Sequence, residues 1–109
     1  MANAYKVLGQ SAPSATTDTD VYTVPSATEA VISTVVIANR SGSDATYRIA
    51  VRPDGATISD EHYVAYDITV GAGDSTALTL GITMNAADVL TVQASTADLS
   101  FSVFGSEIS

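Results

Sequence analysis

Apolar and polar positions along this chain follow a short period. Runs rich in Val, Ile, Thr, Tyr and Phe recur at Ala30–Asn39, Ala45–Arg52, His62–Val70, Ser75–Leu80, Asp88–Ser95 and Leu99–Phe104. Each is closed by Gly, Pro, Asp, Asn or Ser, residues that favour turns for distinct steric reasons. Tyr5–Leu8 and Val21–Val24 add two shorter candidate strands, the second stopped by Pro25. Within Ala45–Arg52 the alternation is clean: Tyr47, Ile49 and Val51 point one way and Arg48, Ala50 and Arg52 the other. Tyr47 reads as a core residue, while Tyr63 and Tyr66 suit either core or surface. Ala30–Asn39 is the most β-branched run and reads as a central strand. Strict alternation there puts Val31, Ser33, Val35 and Ile37 on one face and Ile32, Thr34, Val36 and Ala38 on the other. Both faces are apolar enough for one to meet a second sheet and the other a neighbouring chain.

Between the strands lie recognisable connections. Asn39–Asp44 is a hairpin loop by composition, and Pro53-Asp54-Gly55 is a turn in which proline presets φ and glycine accepts φ > 0. Residues 56–61 suit a short helical turn or a loop. Residues 9–20 are small and polar, a surface loop or else an extended arm lying on a neighbouring subunit. No stretch repeats apolar residues at helical spacing, and Lys, Glu, Gln and Arg, the usual filler of exposed helices, are scarce. The pattern therefore predicts one all-β domain over 1–109: an antiparallel two-sheet sandwich of seven or eight strands, with the jelly roll as one form of it.

Composition narrows the function more than the fold. The 109 residues include no cysteine and no tryptophan, so disulfides and thiolate metal sites are excluded. Twelve acidic residues against four basic ones give a net charge of −8. A phosphate backbone or an acidic bilayer surface would be repelled, which argues against nucleic-acid and membrane partners. The first residues lack the apolar core of a signal peptide and no window is long enough to span a bilayer, so synthesis in a cytoplasm without general secretion is expected.

Candidate chemistry is thin. The single histidine, His62, has no nucleophile motif to support it, and an enzyme is not expected. Asp60-Glu61-His62 would alternate between strand faces and could not converge on a metal, while Asp18-Thr19-Asp20 lacks the spacing of a calcium loop. No glycine-rich phosphate loop is present, and no cofactor is implied. What stands out is that Arg40, Arg48 and Arg52, three of the four basic residues, fall within one hairpin. They suit either local ion pairs of small value or a protein interface, where arginine and tyrosine are favoured. Arg40, Arg48, Arg52, Tyr5 and Tyr63 are thus the candidate interface residues, together with the segment from Tyr5 to Asp20.

The stretches Val21-Tyr22-Thr23-Val24-Pro25, Val36-Ile37-Ala38-Asn39-Arg40-Ser41, Tyr47–Gly55, His62–Asp67, Leu78–Ile82 and Leu99–Glu107 resemble small virion structural proteins of tailed phages, many from marine and cyanobacterial phages. The resemblance covers nearly the whole chain and brings no functional residues with it. It implies a non-enzymatic β-sandwich of the virion, with a capsid decoration (cement) protein as the first reading. Such a protein would sit on the outer surface of the phage particle and bridge capsid subunits. It would form a homo-oligomer, a trimer being favoured by three-fold sites on the head. A tail, baseplate or fibre-attachment component is the alternative. A carbohydrate-binding sandwich for host recognition is a third reading, weakened by the lack of tryptophan.

Overall fold

A computed structural model describes residues 3–109. Nine strands follow one another: β1 (Asn3–Ser11), β2 (Thr19–Thr23), β3 (Glu29–Asn39), β4 (Ala45–Arg52), β5 (Tyr63–Val70), β6 (Ser75–Leu78), β7 (Ile82–Met84), β8 (Val89–Ala94) and β9 (Leu99–Ile108). Two single 3₁₀ turns, Pro53–Gly55 and Asp60–His62, interrupt the β4–β5 connection. One sheet runs β1-β9-β3-β6 with β7 also on β3, and the other runs β2-β8-β4-β5. All strand pairs are antiparallel.

The pairing is nested. β1 pairs β9, β2 pairs β8, β3 pairs β6 and β7, and β4 pairs β5. Successive nested pairs alternate between the two sheets, which is a long hairpin rolled up on itself: the jelly roll. The ninth strand arises because the third pair is broken. Val35–Ala38 of β3 pairs β6, and Ala30–Ile32 pairs β7, with Thr79–Gly81 between them and Gly81 at φ 61°.

The core lies between the sheets. Ile32, Val35 and Ile37 of β3 and Leu99, Phe101 and Val103 of β9 face Tyr47 and Ile49 of β4 and Leu90 and Val92 of β8. Each such side chain contributes about 1.5–3 kcal/mol by leaving water. Tyr47 meets Phe101 edge-on across the interface at 6.2 Å, an arrangement that suits the ring quadrupoles. Tyr47 is thus a core residue, as its alternation predicted, while Tyr66 is exposed and Tyr63 half-buried.

The strict alternation expected for β3 does not hold. Ala30 and Ile32 face inward, and so do Val35, Ile37 and Asn39. The register against β9 shifts between Ile32 and Thr34. The extra residue at this bulge flips every later side chain, because a strand's side-chain period is two. Opposite the bulge, Gly105 approaches β3 so closely that a Cβ would collide with the carbonyl oxygen of Val31.

Of the polar segment 9–20, residues 12–18 are a surface loop and the two ends belong to strands, Thr19 and Asp20 opening β2. Gly9–Ser11 complete β1, and Ala15 bridges Ala94, with the Thr16 amide donating to the Ala94 carbonyl at 2.7 Å. The segment folds back on its own β8. Gly9 lies against the other sheet, where a Cβ would strike the Val21 carbonyl.

Candidate interface surfaces

The two sheets present different outer faces. On the outer face of the β2-β8-β4-β5 sheet, β4 displays Arg48 and Arg52, as its alternation predicted. Both are engaged within the chain. Arg48 Nε donates to Asp67 Oδ1 at 2.7 Å, and its guanidinium lies 4.1 Å from the centre of the Tyr66 ring. A bulge creates this arrangement: Ile49 pairs Ala65 and Tyr47 pairs Ile68, so both Tyr66 and Asp67 oppose Arg48. Asp67 takes φ 53°, a left-handed conformation that Asp tolerates better than most residues. The Arg48 hydrogen bond holds the Asp67 carboxyl below its usual range and raises the guanidinium in return. Tyr63 packs edge-on against Tyr66, ring centres 4.9 Å apart.

Arg52 joins a second group. Its Nη2 donates to Asp20 Oδ1 at 2.9 Å and its Nε to Thr91 Oγ1 at 3.0 Å, while Thr91 itself donates to Asp20. Arg40 does not join either. It leaves the loop after β3 and folds over the other sheet, donating to Ser100 Oγ at 2.7 Å and the Ala97 carbonyl at 2.9 Å. The hairpin that groups three arginines in sequence therefore sends them to three separate intrachain partners. Sequence reasoning missed Asp67 and Asp20 as those partners, because each depends on long-range strand order.

The other outer face, on the β1-β9-β3-β6 sheet, is of opposite character. Val31, Val36 and Ala38 of β3 alternate with the inward positions, as do Ser100, Ser102 and Phe104 of β9. Among the described residues the strands contribute one charged side chain to this face, Glu29 at the start of β3, where it is exposed beside Ile108. Lys6 turns its Nζ to Glu107, which faces the opposite sheet, and Arg40 lies only at the far end. At one corner Tyr5, Val7, Val31 and Phe104 line an open groove. Tyr5, a sequence candidate, is 83% exposed there.

His62 has a local role: its Nδ1 accepts from the Ser59 amide at 3.1 Å, closing the second 3₁₀ turn. Among the described residues no three acidic or histidine side chains are grouped to hold a metal ion. No helix among the described residues is long and apolar enough to cross a membrane. No family model matches the chain, and no curated protein or solved structure matches it.

Proposed function

We propose that this chain is a non-enzymatic structural protein of a phage virion, a decoration protein that binds the outer face of the head and bridges capsid subunits. The observation that carries the reading is the outer face of the β1-β9-β3-β6 sheet, which carries a single strand charge, Glu29 at its end, in a chain of net charge −8. Burying the middle of that face desolvates hydroxyls and small apolar groups and leaves Glu29 at the rim, which costs less than burying ions, and depletion of charge is what marks the centre of a protein interface. The opposite face carries paired charges that stay solvated and keep particles apart. Jelly rolls serve in viral capsids and in lectins alike, so the fold is compatible with this role without assigning it. The role is mechanical: each bound copy adds interface energy to the assembled shell.

In this reading the contact surface is the sparsely charged outer face of the β1-β9-β3-β6 sheet. Arg48 and Arg52 support the solvent-facing sheet. The test is to separate purified virions into heads and tails and to quantify the protein in each by mass spectrometry. Copy number comparable to the major capsid protein in the head fraction is expected. A few copies in the tail fraction would transfer the chain to a tail or fibre-attachment role, and absence from both would remove the virion reading.

A further inference from the structure

Two apolar strips are left exposed, and both lie on sheet edges. Tyr5 and Val7 are 83% and 50% exposed on β1; Val64, Tyr66 and Ile68 are 47%, 54% and 43% exposed on β5. β1 pairs only β9 and β5 pairs only β4 among the described residues, so each has one unpaired backbone edge. Such edges accept another strand, and proteins that leave them long and apolar pair them with something. The strips sit on opposite sides of the sandwich, since β1 stacks over β2 at one side while β5, the far edge of its sheet, reaches β3.

Charge chooses between the possible pairings. The β1 edge carries Lys6, half-exposed and bridged to Glu107, and no free acid. The β5 edge carries Asp67, which Arg48 pairs within the chain, so its free acids are the exposed Asp60 and Glu61 of the turn that leads into it. Two β5 edges together would juxtapose these acids with their own copies. Two β1 edges together would bring lysines near each other and leave β5 uncovered. A β1 edge against a β5 edge covers both strips with one contact and sets the cation beside the acids.

We propose that copies of this chain assemble head to tail, the β1 edge of one on the β5 edge of the next, with Tyr5 and Val7 packed against Val64 and Tyr66. Such a contact is heterologous, so it propagates to three or more copies, as a ring where the rotation closes and as an open filament where it does not. The assembly belongs to the free chain and stands apart from where in a particle the protein resides.

Sedimentation equilibrium of the full chain over a concentration series into the millimolar range tests this. The expected mass is three or more times the 11.1 kDa of one chain. Val7→Asp and Val64→Asp place a charge in each strip at exposed positions, and circular dichroism verifies that both variants stay folded. Each alone is expected to remain monomeric. Mixed in equal amounts, they are expected to give a dimer and nothing larger, because each variant keeps the edge that the other has lost. A wild-type chain that stays monomeric overturns the proposal, as does a Val64→Asp chain that still dimerises, which would mean β1 pairs with itself. A Val7→Asp chain that still dimerises, or a mixture that yields no dimer, overturns it equally.

Discussion

Tyr47 is 1% exposed and its hydroxyl is the one buried side-chain polar atom among the described residues without a hydrogen-bond partner. Burial also raises the phenol's pKa, so the group stays neutral at ordinary pH. A desolvated, unpaired hydroxyl costs about 1–3 kcal/mol. Tyr47→Phe keeps the edge-on contact with Phe101 and removes that cost, and should stabilise the protein by about 1 kcal/mol. The urea midpoint should rise at unchanged slope; a fall would mean that the hydroxyl is bonded in solution. That Tyr47 faces the core was legible from alternation with Ile49 and Val51. Its missing partner was not, because that depends on what the facing sheet brings opposite it. The same limit governs the arginines. Their direction off β4 followed from period two, whereas Asp67 and Asp20 reach them only through register and a bulge.

At the level of elements, most strand positions were legible because turn residues bracket each β-branched run. The breaks within strands were not. In β3, Ser33 and Thr34 carry no signature that distinguishes a bulge from a polar solvent-facing pair, so simple alternation put Val35 and Ile37 with Val31 on the wrong side of the flip. β1 was read short because Gly9, Gln10 and Ser11 look like loop. The glycine is there for space, since the two sheets converge at Val21. Gly105 fills the corresponding need beside the β3 bulge. A methyl group at either site must push backbone aside. Gly9→Ala and Gly105→Ala should each cost about 3 kcal/mol, whereas Gly42→Ala, in open space, should be near neutral. Thermal melts of the three variants check this. Equal small gains at all three sites would show that unfolded-chain entropy, and not close approach, sets the outcome.

For the molecule as a whole, the two sheets are held by the apolar core and by polar links at its two ends, Asn39 Nδ2 of β3 donating to the Val70 carbonyl of β5 at 3.1 Å at one end and Glu107 at the other. Glu107 of β9 faces inward with its side chain 14% exposed. Its Oε1 meets Lys6 Nζ at 2.6 Å, and its Oε2 accepts from the Tyr22 hydroxyl of the opposite sheet at 2.6 Å. Lys6, then Tyr22, hold the carboxyl below its ordinary pKa, while burial and the carboxylate hold the Tyr22 phenol well above its own. A carboxyl depressed in the folded state stabilises fully above its unfolded pKa, about 4.3. That contribution falls as pH drops through this value towards the folded one, and is gone below both. Glu107→Gln keeps an acceptor for Tyr22 but loses the ion pair, and should cost about 1 kcal/mol at neutral pH, Lys6 being half in water. Its stability should then decline less steeply than wild type between about pH 5 and pH 3. Denaturant titrations of both proteins across that range measure the difference. Parallel profiles would show that the acid sensitivity comes from the other carboxylates, and that the Glu107 link between the sheets is carried by the neutral Tyr22 hydrogen bond alone.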